Sequence, residues 1–280
     1  VKVDYLSDLH IDFLIKSSKT ISEGRVRAVF DSILRKKDSD YLIIAGDTSE
    51  YMGMTFRVFQ MIKKIYGYKK IYFVFGNHDM WLNNPHQGEK YFWDSYNKMN
   101  YMKHLLKEDE DLILLDGGTY EIGYYTIGGA MGMSDLRYEQ EYQKYSGMYS
   151  TYVDIWDYWK ETMNDSKLFY PRKPNLNHFV DIEHQKIIKT LSDYPDIMVT
   201  HYCPIISDTV TSEQYKGERS NTFYMMDFED YIYEYKPKFW VHGHLHSNLD
   251  MVVGDTRLLR NPIGYPSEKL KRSVKTFEIF

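Results

Sequence analysis

The chain has 280 residues, 43% hydrophobic and 27% charged, with a formal net charge of -5 and a pI near 6.1. That balance suits an ordinary globular protein and supplies no global basic field for gripping a long nucleic acid. Cys203 is the single cysteine, which excludes an intrachain disulfide. No signal peptide is visible, and no apolar run approaches the ~20 residues a spanning helix needs, so the expectation is a cytoplasmic protein with no membrane partner.

Residues 1–7 form a short predicted strand that runs into S-D-L-H-I-D. A helix follows over 22–37, with Val26, Val29, Phe30, Ile33 and Leu34 at helical spacing. Residues 40–45 (D-Y-L-I-I-A) read as a buried strand stopped by Gly46 and Asp47, and 54–66 as an amphipathic helix closed by Gly67. The stretch I-Y-F-V-F, 71–75, is a third buried strand, broken by Gly76 and followed at once by Asn77, His78 and Asp79. A helical region over 89–106 leads to a strand at 112–115. This alternation of strand and helix predicts a parallel sheet within one α/β domain spanning 1–280.

Residues 120–129 read as one strand opening a second sheet. Residues 131–191 are polar, rich in tyrosine and tryptophan (Tyr152, Trp156, Tyr158, Trp159) and poor in strand pattern. They are expected to form a helical insertion capping the site, with a proline-marked turn at 171–174 and a helix near 179–191. Residues 197–200 return to strand and deliver His201; 223–235 read as a helix ended by Pro237. Residues 239–241 deliver H-G-H-L-H, and closing strands are expected at 251–253, 256–260 and 274–279.

The chemistry gathers at strand ends, where ligands bind in mostly parallel sheets. Asp8 and His10 sit two apart, so in extended chain they point to one side, and His244 and His246 do the same. Asp47 stands alone after its strand. Together with Asn77 and His201 these residues suit a two-metal hydrolytic site, in which a pair of cations neutralises a phosphoryl group and holds the attacking and leaving oxygens. Nitrogen and oxygen donors without thiolate fit Mn, Fe, Zn or Ni better than a cysteine-based structural zinc. His242 is read as a strand residue, Glu50 as a solvated loop position and Cys203 as a small buried residue.

S-D-L-H (7–10), G-D (46–47), G-N-H-D (76–79), the histidine of T-H-Y (200–202) and G-H-L-H (243–246) together resemble the motif series of the calcineurin-like metallophosphoesterases. The resemblance runs from residue 1 to about 265 and is weakest over 131–191; R-N-P-I-G-Y (260–265) is similar to a closing signature of the small bacterial and phage-like members. It implies a four-layer αββα sandwich of two mixed sheets flanked by helices. It also implies two divalent or trivalent metal ions, manganese first among the choices: one held by Asp8, His10, Asp47 and His246, the other by Asp47, Asn77, His201 and His244. Catalysis would fall to His78, protonating the leaving oxygen, and to Asp79, orienting His78 by a hydrogen bond. The reaction implied is phosphate-ester hydrolysis by a hydroxide bridging the metals, on a small-molecule substrate, with a lean to phosphodiesters or nucleotide-like compounds. Where protein phosphatases of the family carry G-D-x-V-D-R-G, this chain reads G-D-T-S-E, so the arginine that grips a phosphorylated side chain is missing. Lipid-A-type pyrophosphatases carry arginine where this chain has His78. A nuclease acting on DNA or RNA ends and a non-catalytic metal-binding scaffold of the same fold remain the alternatives.

Overall fold

A computed structural model describes residues 1–15, 21–146, 155–170, 176–268, 270 and 272–280. Its strands are Lys2–Leu6 (β1), Tyr41–Ala45 (β2), Lys70–Val74 (β3), Leu112–Leu114 (β4), Gly118–Ile122 (β5), Tyr125–Gly129 (β6), Ile197–Val199 (β7), Phe239–His242 (β8), Leu249–Val253 (β9), Thr256–Arg260 (β10) and Lys275–Glu278 (β11). They form two sheets, ordered β11-β1-β2-β3-β4 and β5-β6-β7-β8-β10-β9. Both are mixed. The central strands pair in parallel, while β11 on β1, β5 on β6 and β9 on β10 run antiparallel.

Strand period two explains how both faces become buried. Ile43 and Ala45 of β2 and Tyr72 and Val74 of β3 meet Ile127, Ile197, Val199, Val241 and Leu259 in a core between the sheets. Their neighbours Leu42, Ile44, Ile71 and Phe73 face the other way, as do Met198, Trp240 and Leu258 of the second sheet, into helix-covered layers. The helices are Ile11–Leu14 (α1), Glu23–Ile33 (α2), Met52–Tyr66 (α3), Asn77–Met80 (α4), Pro85–Lys90 (α5), Ser95–Leu105 (α6), Tyr138–Ser146 (α7), Ile155–Thr162 (α8), Asp165–Leu168 (α9), Leu176–Leu191 (α10) and Glu229–Tyr235 (α11). Helices α2, α3 and α6 pack together with α3 on β3, whereas α10 lies on β5 and β6 and α11 on β9. The result is the four-layer αββα sandwich.

Several boundaries differ from the sequence reading. Residues 118–129 are a hairpin and not one strand: Gly123, at φ 63°, and the fully exposed Tyr124 turn the chain between β5 and β6. The helix expected over 89–106 is two helices. Phe92 and Trp93 adopt left-handed backbone (φ 54° and 51°), and Asp94 then caps α6 by accepting from the Tyr96 and Asn97 amides. Only 229–235 of the helix expected over 223–235 forms. Met225 is drawn into a bridge with Cys203, Met226 N donating to Cys203 O at 2.9 Å, and that tertiary pairing overrides local propensity. The 131–191 segment is only partly an insertion, because α10 is the outer layer of the second sheet, burying Phe179, Ile187 and Leu191. The proline-marked turn at 171–174 and Tyr152 lie outside the described residues.

Candidate metal centre

The strand-end residues do not continue as extended chain. Asp8 (φ 52°), His10 (φ 41°), Asp47 (φ 51°) and His244 (φ 67°) all sit in left-handed backbone, a conformation costing of order 1–3 kcal/mol for such residues. Main-chain bonds from distant loops hold them there. Asp8 N donates to Gly46 O and His10 N to Asp47 O, both at 3.0 Å, while Gly264 N donates to Asp8 O at 2.9 Å. His244 N donates to the Asp8 carboxylate at 3.1 Å. Consequently the paired residues of each motif do not share a face by strand alternation. His244 turns toward His201, and His246 toward Asp8 and His10.

Two groups of donors result, meeting at Asp47. In the first, His201 Nε2 lies 3.1 Å from Asn77 Oδ1, 3.2 Å from His244 Nδ1 and 3.4 Å from Asp47 Oδ1. Hydrogen bonding fixes which atoms carry lone pairs. His201 Nδ1 faces Ala45 O at 2.9 Å and His244 Nε2 faces Phe223 O at 3.3 Å; a carbonyl only accepts, so those nitrogens carry the protons. Asn77 Nδ2 donates to Asp165 at 2.9 Å, which turns its oxygen inward. Four atoms able to offer lone pairs to a cation therefore converge. In the second group His246 Nε2 lies 3.4 Å from both Asp8 Oδ1 and His10 Nε2, and His10 Nε2 lies 3.9 Å from Asp47 Oδ2. His246 Nδ1 faces the Glu268 carboxylate at 2.8 Å. Asp8 Oδ2 is buried with no hydrogen-bond partner, as expected of an oxygen reserved for a metal. The sets Asp8–His10–His246, His10–Asp47–His78 and Asp47–His201–His244 each have ligand atoms within 4.8 Å of one another, so the residues present fit metal binding, with Asp47 in reach of both groups.

The electrostatics agree. Burial works against charge on Asp8 and Asp47, yet the surrounding histidines hold both carboxyls well below the usual carboxylate range. Burial likewise opposes charge on His201 and His246, but Asp47 pushes His201 up to about 9, and Asp8 and Glu268 push His246 up to about 10. Desolvation takes His10 and His244 down to about 3. One proton per group thus supplies positive charge at neutral pH, in the place a metal ion would take.

His78 is buried beside this centre, Nε2 at 3.9 Å from Asp47 Oδ2, so that His10, Asp47 and His78 form a third group able to reach an ion. Its ring packs on Trp81 at a 31° tilt, centroids 3.5 Å apart, and its Nε2 pairs with the Tyr265 hydroxyl at 2.9 Å. The expected Asp79 contact does not occur. As the third residue of α4, Asp79 turns back onto the helix start and accepts from Gly76 N at 2.7 Å and Ser49 N at 3.2 Å. The carboxylate facing His78 is Glu50, 3.7 Å from Nδ1 and buried, where the sequence suggested a solvated loop. Burial alone would lower the His78 pKa, but Asp47 and Glu50 raise it. His242 is a buried residue of β8, and Cys203 is buried with its thiol pushed up to about 11 by desolvation.

A pocket of about 720 Å³ opens over the centre. Asp47, Asn77, His78, His244 and His246 line its floor, and Met163, Asn164 and Asp165 of the insertion, with Tyr215, Tyr224 and Tyr265, line its walls. Asp165 and Glu268 carry no motif in the sequence, their only signal being acidic character in segments without strand pattern; Tyr265 ends the R-N-P-I-G-Y stretch, but the sequence assigns it no role at the site.

The family model for calcineurin-like phosphoesterases matches residues 1–248. Among curated proteins none matches significantly. Of solved structures, the phosphopantetheinyl hydrolase PptH from Mycobacterium tuberculosis is similar at 17% identity and a TM-score of 0.66, over 95% of this chain and 90% of that one. A candidate 5′-nucleotidase from Staphylococcus aureus, solved with alpha-ketoglutarate, aligns at 11% identity and a TM-score of 0.39, over 93% of this chain and 48% of its own. With the model match covering most of its length, the chain belongs to the calcineurin-like phosphoesterase family.

Proposed function

We propose that this protein is a binuclear metal-dependent hydrolase of phosphate esters, favouring phosphodiesters or nucleotide-like compounds. The observation that carries the reading is the convergence of lone-pair donors on two points that share Asp47, at the floor of a pocket walled by amide and aromatic side chains. Asp8, His10, Asp47 and His246 would hold one ion; Asp47, Asn77, His201 and His244 the other. When bound, the ions supply Lewis acidity toward a phosphoryl oxygen and a water of lowered pKa.

The remaining steps belong to the chain's own residues. Ala45 O and Phe223 O fix the proton positions of His201 and His244, so their inward nitrogens stay basic. His78, kept protonated to higher pH than an ordinary histidine by Asp47 and Glu50, donates from Nε2 to the leaving oxygen. Trp81 and Glu50 hold that ring from its face and its Nδ1 edge. The insertion wall at 162–165 and the tyrosines opposite receive the organic part of the ester. The PptH likeness, whose name denotes hydrolysis of a phosphopantetheinyl group, is compatible with a diester substrate.

The test is turnover of phosphomonoesters, phosphodiesters and cyclic nucleotides by metal-stripped protein given Mn, Fe, Zn or Ni in turn. Diester turnover that needs added metal and is lost in Asp47→Asn is expected. Two bound ions with no turnover on any substrate would make the protein a scaffold. Cleavage confined to DNA or RNA ends would make it a nuclease.

A further inference from the structure

Asp8, Asp47, His201 and His244 are each oriented by a main-chain amide or carbonyl. Asn77 and His246 are held by carboxylates instead. Asn77 is held by Asp165, whose Oδ1 accepts from Asn77 Nδ2 at 2.9 Å and from Trp81 Nε1 at 2.6 Å. His246 is held by Glu268, whose two carboxylate oxygens lie 2.9 and 2.8 Å from its Nδ1. Asp165 belongs to α9, in the insertion, and is 3% exposed. Glu268 lies beyond the 1–248 span of the family match, in a turn where Tyr265 N donates to its Oε2 at 2.7 Å and its own amide donates back to Tyr265 O at 3.0 Å.

We infer that Asp165 and Glu268 are positioning residues, one for each half of the metal centre, supplied by segments outside the strand-end motifs. The inference rests on the two-ion reading above. An asparagine offers a metal either its oxygen, a ligand, or its amino group, which repels a cation; Asp165 decides between them because a carboxylate accepts only from the amino end. An imidazole offers either nitrogen, and Glu268 keeps the proton on Nδ1 so that Nε2 faces Asp8 and His10. Partners of this kind are worth about 10- to 100-fold in metal affinity. Because the two carboxylates serve different groups, each sets the occupancy of its own half, and the insertion contributes to the centre itself as well as to the pocket wall.

The experiment is calorimetric titration of chelator-stripped protein with Mn²⁺, with the electron paramagnetic resonance of the coupled manganese pair as a second readout. The unaltered chain should bind two equivalents and show the coupled spectrum. Glu268→Ala and Asp165→Ala should each weaken one equivalent by about 10- to 100-fold, leaving the other tight and the coupled signal reduced. The double variant should leave neither tight, since the halves differ. Glu268→Gln and Asp165→Asn, which keep an acceptor oxygen, should recover most of the loss. Glu268 is 33% exposed at its side chain, so its variant remains informative should Asp165→Ala fail to fold. Two equivalents of undiminished affinity in Glu268→Ala would overturn the inference, as would a double variant that keeps one tight site. Fewer than two equivalents in the unaltered chain would instead sink the two-ion reading itself.

Discussion

Gly76 is the position where a single methyl group tests the whole arrangement. A Cβ built there would lie 2.8 Å from Cγ of Asp47 and closer still to its Oδ1 and amide nitrogen. Carbon atoms pack at about 3.5–4.0 Å, so Gly76→Ala must displace the Asp47 carboxylate or the loop carrying it by roughly 1 Å. Asp47 is the residue both donor groups share, and its Oδ1 also accepts from His78 N at 2.9 Å. The substitution should therefore weaken both metal equivalents together and lower kcat about 100-fold, the usual consequence of a misplacement of that size. Overpacking should also cost the metal-stripped protein about 1–3 kcal/mol of stability. Gly24 is the control: it lies inside α2 and a methyl there meets nothing within 4 Å, so Gly24→Ala should stabilise by about 0.5–1 kcal/mol and leave activity alone. Urea unfolding with chelator, manganese titration and diester turnover measure the three effects. A Gly76→Ala protein with undiminished manganese affinity and near-normal kcat would refute the shared role of Asp47.

Removing the leaving-group acid should be selective: His78→Ala is expected to lose far more on diesters with poor leaving groups than on nitrophenyl esters, with metal content normal, and equal losses would defeat the acid role. Tyr265→Phe keeps the ring stacked on His10 but deletes the hydroxyl 2.9 Å from His78 Nε2. It should reduce poor-leaving-group turnover by roughly fivefold, the worth of about 1 kcal/mol of hydrogen bonding, and no change would show that the contact is idle. With His201 raised to about 9 and His246 to about 10, both carry protons at pH 7, so binding two ions should release about two protons. Calorimetry in buffers of different ionisation enthalpy counts them, and release of none would refute the assigned charge. On α10, Glu183 is fully buried, and burial pushes its carboxyl from 4.5 up to about 7 despite Lys186 at 2.6 Å. The stability it contributes is complete below about pH 4.5 and is lost by about pH 7, because over that range the unfolded carboxyl ionises while the native one stays protonated. Glu183→Gln should melt close to the parent at pH 5 and gain on it at pH 8 by up to a few kcal/mol; a gap that does not grow with pH would contradict this.

The strand ends were legible because each couples an apolar run to a glycine and a metal-competent side chain within a few residues, as at Ala45-Gly46-Asp47 and Phe75-Gly76-Asn77. The alternation in β2, β3 and β7 also explains both cores, since each strand is apolar on two faces. What local pattern could not reveal was backbone hand. Two-residue spacing suggested extended chain at Asp8 and His10, whereas clamps from Gly46, Asp47 and Gly264 impose left-handed turns. Nor could it reveal partners set by tertiary approach: Asn77 meets Asp165 across 88 positions and His78 meets Tyr265 across 187. The family resemblance implies that Asp79 orients His78, but helical geometry at α4 turns its carboxylate back to Gly76 and leaves Glu50 to face the ring.

The place of β1 in its sheet has a consequence for synthesis. It lies between β2 and β11, and Val1 N donates to Ile279 O, 278 positions away. At about 5–20 residues per second, one rim of the first strand waits roughly 15–55 s on the ribosome before its mate emerges. During that interval Val3 and Tyr5, both buried in the finished protein, belong to a ribbon open to pairing with a neighbouring nascent chain. Recovery of native protein should therefore depend on how fast translation proceeds through the intervening message, and a co-expressed holdase that shields the β1 ribbon should raise it.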